Sequence, residues 1–158
     1  MTTIVYDHKA QQIAMDSRAT SGGLINSECF IKWIQDGDDF WFISGPNADR
    51  ERLIQHIKAV DPDKPKWDIE CTAFLVSAGA VYQCFVTSDG DPCKSRLTYS
   101  EAIGSGAAFA LAALDHGKSA RDAVAYASTR DTGTGGKIRV FDIKIMQFID
   151  SQSKKGKA

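Results

Sequence analysis

The sequence predicts an α+β domain in which two antiparallel sheets pack face to face with helices outside, a four-layer α-β-β-α sandwich. Three observations predict it. Strand-like segments come in pairs joined by short turns, and helical segments stand in separate blocks rather than alternating with single strands. The chain of 158 residues, 43% hydrophobic and 25% charged, is also large enough to bury one real core. Nineteen basic residues balance twenty acidic ones for a net charge of −1, so no field favours nucleic acid or an anionic membrane. No apolar run reaches bilayer-spanning length and no signal-peptide pattern opens the chain, which sets the expectation of a cytoplasmic protein.

The elements follow in order. Residues 2–6 and 10–16 read as two strands around a turn at Asp7–Lys9, and residues 28–35 and 40–44 as a second pair around Asp36-Gly37-Asp38. Asn47 is placed to cap a helix over 48–59, whose apolar stripe is Leu53, Ile54 and Ile57, and Asp61-Pro62 and Lys64-Pro65 break it. Strands near 69–78 and 80–88 meet at Gly79, and Ser88–Pro92 makes a turn. The small and apolar run Gly104–Leu114 suits a helix packed closely on a sheet. Ser119 with Asp122 marks the start of a second helix, running to about Arg130. A glycine-bearing turn, 131–136, then leads into KIRVFDIKI, whose period-two alternation predicts a strand. Residues 1–150 therefore read as one domain and 151–158, SQSKKGKA, as a polar tail.

The chemistry starts at residue 2. A threonine hydroxyl is a poor nucleophile until a base removes its proton, and an N-terminal threonine carries that base as its own α-amine, with an ordinary pKa of roughly 7.7–8. Thr2 qualifies once Met1 is removed, and methionine aminopeptidases usually remove Met before a small residue. On its own, the opening segment reads as an ordinary strand beginning at residue 3, and only the rest of the sequence favours the nucleophile. Asp16 and Lys32 lie on candidate strands that can run beneath residue 2, where a buried ammonium lowers the amine's pKa by like-charge repulsion and Asp16 keeps that lysine ionised. The other reading of Lys32 is an exposed or snorkelling strand residue.

Thr2-Thr3-Ile4-Val5, Asp16-Ser-Arg-Ala-Thr20, Lys32, Gly104-Ser-Gly106 and Arg130-Asp-Thr-Gly-Thr-Gly-Gly136 occur in one order along nearly the whole chain. Together they resemble the proteasome β-subunit family of N-terminal nucleophile hydrolases, which includes the bacterial peptidase ring that works with an AAA+ unfoldase. The resemblance implies Thr2 as nucleophile and, through its amine, general base, with Asp16 and Lys32 as the charged pair. It implies Ser105 as the serine bonded near the amine, and Asp131 and Thr134 as the aspartate and hydroxyl of the Arg-Asp-x-x-Ser-Gly-Gly element, with Thr in place of Ser. Gly45 matches the glycine whose N–H stabilises the oxyanion, and Thr20 and Ser21 match the backbone that pairs with an extended substrate. Phe30 and Ile43 are candidate pocket residues and suggest cleavage after hydrophobic residues.

Three departures accompany the resemblance. Pro46 replaces a second glycine after Gly45, the first hairpin is short, and the long helical pair usual after Gly45 is reduced to one helix. The implied activity is a threonine-type endopeptidase acting on peptides or unfolded protein, in a closed homo-oligomeric ring, with room for an AAA+ unfoldase as partner. A small-molecule amidase of the same architecture, or a silent structural subunit, are the alternatives. No cofactor or metal is expected. His8, His56 and His116 lack ligand spacing and read as surface or helix-end residues. Cys29, Cys71, Cys84 and Cys93 read as small core hydrophobes, without disulfide or zinc.

Overall fold

The computed structural model describes residues 1–59 and 66–149. One sheet carries, from edge to edge, β10 (Glu101–Gly104), β1 (Thr3–Asp7), β2 (Gln12–Met15), β11 (Arg139–Asp142) and β12 (Gln147–Ile149). The other carries β5 (Trp33–Asp36), β6 (Asp39–Ser44), β7 (Thr72–Ser77), β8 (Ala80–Val86) and β9 (Pro92–Arg96). Every pairing in both sheets is antiparallel. A separate hairpin joins β3 (Ala19–Ser21) to β4 (Leu24–Ser27).

The layers follow from alternation. Along β1, Ile4 and Tyr6 enter the core between the sheets while Val5 faces the helices; Ile13 and Met15 alternate with Ala14 in the same way on β2. On β6, Phe40 and Phe42 meet that core, and Trp41 and Ile43 face outward. Helices α2 (Ala107–Asp115) and α3 (Ala120–Ser128) cover the first sheet. Alanines 110, 113, 120, 123 and 127 face alanines 14 and 102 there, so helix and sheet backbones approach closely. The opposite outer layer is thin: among the described residues, α1 (Arg50–Lys58) alone covers the second sheet, through Leu53 and Ile54. The α-β-β-α sandwich predicted from sequence is the observed architecture, including its reduced layer.

Several local expectations are corrected. The strand expected from residue 28 begins at Trp33. Residues 19–27 instead form the β3–β4 hairpin, turning at Gly22-Gly23 with both φ positive; its exposed strands bury no apolar face and leave no alternation to read. Gly104 ends a strand rather than starting a helix, because it pairs with Thr3, and α2 starts at Ala107. The C-terminal strand is a hairpin: the chain turns at 143–146 and β12 returns Phe148 to the core. The edge strand β9, mostly exposed and opened by a proline, carried no pattern. Asn47 opens a single 3-10 turn with no side-chain cap, whereas Ser119 Oγ accepts from Asp122 N at 3.1 Å, as its spacing predicts. Cys71 and Cys84 are core residues; Cys29 is exposed and Cys93 half-buried, since both lie outside the sheet interiors. His56 does end a helix but is buried, its Nε2–H donating to the Gly90 carbonyl at 2.9 Å with Trp67 stacked on the ring. The proline breaks within 60–65 and the tail at 151–158 lie outside the described residues.

Candidate active site

β1 starts at Thr3, so Thr2 sits at the mouth between the sheets, 6% exposed. The β1–β10 register sets Gly104 opposite Thr3 and brings Ser105 alongside Thr2. This approach is close: a Cβ on Gly104 would lie 1.9 Å from the Thr2 carbonyl oxygen, and the residue holds φ +98°, so only glycine fits. Asp16 follows the last residue of β2 and is fully buried. Its Oδ1 accepts from Lys32 Nζ at 2.6 Å and Thr3 N at 2.9 Å. Its Oδ2 accepts from Gly135 N at 3.0 Å and Arg18 N at 3.2 Å. One carboxylate thus ties together both first strands, the 131–136 loop and the segment entering β5.

Lys32 is 3% exposed, so the alternative of an exposed or snorkelling lysine is excluded. Burial pulls its ammonium below the ordinary lysine value, and the Asp16 charge and hydrogen bond oppose that shift. Its Nζ also donates to the Met1 carbonyl oxygen at 3.3 Å.

A second polar chain runs on the other side of Thr2. Asp131 Oδ2 accepts from Ser105 Oγ at 2.6 Å and Thr134 Oγ1 at 2.5 Å, and its Oδ1 accepts from Gly133 N at 3.3 Å. Burial by itself would raise this carboxyl, but the two hydroxyls, the Gly133 N–H and the nearby chain terminus hold it below its ordinary value. Each hydroxyl has one proton, so donation to Asp131 fixes both directions. Ser105 Oγ is left as acceptor for the Thr2 N–H at 3.3 Å, and Thr134 Oγ1 as acceptor for Thr3 Oγ1 at 2.5 Å.

The structure therefore brings Thr2, Asp16, Lys32, Ser105, Asp131 and Thr134 into one cluster. Thr20, Ser21, Phe30, Ile43 and Gly45 line an adjoining cleft of about 710 Å³, whose wall also includes Thr2, Lys32 and Ser105. Gly45 holds φ +132° with Cys71 packed where a Cβ would go. Pro46, φ −58°, follows it, and the Pro46 carbonyl accepts from Cys71 Sγ at 3.3 Å. Sequence reasoning missed Thr3, whose N–H and hydroxyl each join one of the two polar chains, and Arg50, which lines the cleft from the start of α1. It also missed Arg18, which clamps Glu28 at 2.9 Å and the Thr132 carbonyl at 3.0 Å and so fixes the β3–β4 hairpin beside the loop. The Thr2-Thr3 pair and the charged Asp16-Ser-Arg string were the available signals. Among the described residues, no helix is long and apolar enough to cross a membrane, and no group of His, Cys, Asp or Glu side chains is arranged to hold a metal ion.

A sandwich of this layering, with a threonine at its mouth beside a buried lysine–aspartate pair, has the fold of the proteasome-like N-terminal nucleophile hydrolases. Among solved structures, the chain is similar to eukaryotic HslV from Trypanosoma brucei, with TM-score 0.67 and 20% identity over 88% of this chain and 97% of that one. It is also similar to Thiobacillus denitrificans BPH in complex with epoxomicin, at TM-score 0.65 and 18% identity over 89% and 97% of the two chains. A second structure of Thiobacillus denitrificans BPH superposes at TM-score 0.62 and 18% identity, over 89% of this chain and 95% of that one. At these identities the likeness is one of fold. No protein-family model matches the sequence, and no curated protein matches it either.

Proposed function

We propose that the chain is a threonine-type peptidase whose nucleophile is Thr2 after loss of Met1. The observation that carries this reading is the position of the Met1–Thr2 peptide: its nitrogen lies 3.3 Å from Ser105 Oγ and its carbonyl oxygen 3.3 Å from Lys32 Nζ. Cleaving that bond turns the nitrogen into an amine already held by Ser105 and close to a buried ammonium. With its N–H directed at Ser105, the amine keeps a lone pair for the Thr2 hydroxyl. Like-charge repulsion from Lys32 favours the neutral amine, the form that can act as a base.

The amine takes the Oγ proton as Oγ bonds to the scissile carbonyl carbon. The Gly45 N–H is the donor for the developing oxyanion, a contribution of roughly 3–4 kcal/mol in comparable sites. Collapse breaks the C–N bond, and the amine's proton passes to the leaving nitrogen. Water, deprotonated by the same amine, then releases the acyl group and restores Thr2. Asp16 orients Lys32, Asp131 orients Ser105, and Thr134 holds Asp131. Thr20 and Ser21 on β3 offer backbone to an extended substrate. Leu24, Ile25 and Ile31 are exposed apolar side chains near the cleft, and they support burial between copies in a homo-oligomeric ring. Unfolded protein is the substrate proposed for such a compartment, and an AAA+ unfoldase is the class of partner that could supply it.

Intact mass of the purified chain and its adduct with a peptide epoxyketone test the proposal. Epoxomicin is the natural first probe, since one structural neighbour is described in complex with it. Loss of Met1 and an adduct confined to Thr2, absent in Thr2→Ala, are expected. Retained Met1 with no adduct would leave the silent-subunit alternative standing. Turnover of small amides without peptide cleavage would favour the amidase.

A further inference from the structure

Arg50 makes no ion pair among the described residues, and only the adjacent Glu51 offsets its charge, from a distance. It is 9% exposed and lines the cleft beside Thr2. Its Nη1 reaches only Asn47 Oδ1 at 3.4 Å, while Nε and Nη2 have no partner. Its location disfavours a cation twice: the side chain is buried, and it is the first residue of α1, where the helix dipole favours negative charge. The neighbouring Asp49 carboxylate is taken by Arg52 at 2.7 Å. Cys71, its thiol pushed up to about 11 by burial, is neutral and gives no counter-charge. The Phe30 ring lies 5.3 Å from the guanidinium carbon, which puts Arg50 in the pocket that Phe30 and Ile43 line.

The cleft as a whole has the same sign. Among the described residues its wall includes Arg18, Lys32 and Arg50 and no aspartate or glutamate. Arg18 is paired with Glu28 and Lys32 with Asp16, so the unbalanced charge belongs to Arg50. The two unpartnered nitrogens are also the matching pair: Nε–H and the adjacent Nη2–H lie on one edge of the guanidinium and donate in parallel, the geometry a carboxylate accepts.

We infer that Arg50 makes the cleft selective for substrates with an acidic side chain, glutamate or aspartate, at the residue preceding the scissile bond. The inference rests on the peptidase reading and replaces the hydrophobic preference expected from Phe30 and Ile43. These two side chains pack the aliphatic stem of the incoming residue, and its carboxylate takes the unpartnered Nε–Nη2 edge, whose buried nitrogens meet it once the guanidinium turns toward the cleft. A neutral side chain leaves that edge desolvated and unpaired, and this is where discrimination arises.

The test uses the intact assembled protein and three peptides identical except for Glu, Gln or Leu before the scissile bond. The expected kcat/KM is about 10- to 100-fold higher for Glu than for Gln or Leu, the range of one charge-assisted hydrogen-bonded pair. Arg50→Leu should invert the order, and Arg50→Lys, which keeps the charge but loses the fork, should retain part of the preference. Equal or faster cleavage of the Leu peptide by the unmodified protein would overturn the inference. If no peptide is cleaved, the peptidase reading fails separately, and calorimetric binding of the same peptides decides: tighter binding of Glu than Gln, abolished in Arg50→Leu, supports acid selection, and equal or undetectable binding refutes it. Should Arg50→Leu not fold, the three-peptide comparison in the unmodified protein and in Arg50→Lys still decides.

Discussion

Replacing Asp16 by asparagine separates the two halves of the buried pair and tests the electrostatics of the site. Asp16 is fully buried and accepts four hydrogen bonds, one from Lys32 and three from backbone N–H groups. Asparagine keeps the shape but removes the charge: its oxygen can still accept from Lys32 and Thr3, its N–H₂ then faces the Gly135 and Arg18 N–H donors, and Lys32, 3% exposed, is left without a counter-ion. Breaking a buried ion pair from one side costs about 3–5 kcal/mol. At about 2–4 °C per kcal/mol for a chain of this size, the melting temperature should fall by roughly 6–20 °C. The reverse truncation is milder. Lys32→Met leaves the carboxylate with its three N–H donors, so the cost should be nearer 1–3 kcal/mol.

The double variant, which removes the stranded ammonium, should be more stable than Asp16→Asn by about 1–2 kcal/mol. Urea denaturation at constant m measures all three. The pH dependence adds a signature. Burial already sets the folded pKa of Lys32 below the unfolded one, and losing Asp16 widens the gap. In Asp16→Asn the unfolded chain then binds the extra proton, so stability should rise with pH up to the ordinary lysine range. A Lys32→Met variant as unstable as Asp16→Asn, or a double variant no better than Asp16→Asn, would refute this account.

Gly104→Ala should destabilise by about 3 kcal/mol or more, through overlap with the Thr2 backbone plus left-handed strain. Gly79→Ala, with φ +76° but open space around it, should cost only about 1–2 kcal/mol in the same denaturation assay. Asp131 has a folded pKa below its unfolded value, so its contribution is present above the ordinary aspartate range and is lost as pH falls through the folded pKa. Asp131→Asn should therefore flatten the acid limb of the stability curve below about pH 4, read by thermal melts across pH. Thiol labelling followed by mass spectrometry should modify exposed Cys29 first. It should reach Cys71 and Cys84, pushed up by burial to about 11 and about 12, only on unfolding.

The layering was legible in the sequence because period-two alternation and short turns are local. Phe40-Trp41-Phe42-Ile43 shows in four letters that both faces of β6 are buried, and Ser119 with Asp122 announces α3. The β3–β4 hairpin was not legible, since strands that bury nothing carry no alternation. The single strand expected at the C-terminus hid a hairpin because Met146, at φ +53°, turns the chain where no glycine marks the turn.

For the site, residue type and placement nominated Thr2, Asp16 and Lys32, whereas Ser105, Asp131 and Thr134 were nominated through the resemblance to the proteasome β-subunit family. Their juxtaposition spans 132 sequence positions and follows from strand register: Thr3 opposite Gly104 and Arg139 opposite Met15 draw three distant loops to one end of a sheet. The sequence by itself determined the layered fold and named the candidate residues that gather at its mouth, since alternation, turns and residue type are written locally. Only the tertiary structure decided that Lys32 is buried against Asp16 and that Arg50 stands in the cleft with no carboxylate partner among the described residues. Burial and the absence of a partner belong to the packed surroundings of a charge, which no stretch of neighbouring residues encodes.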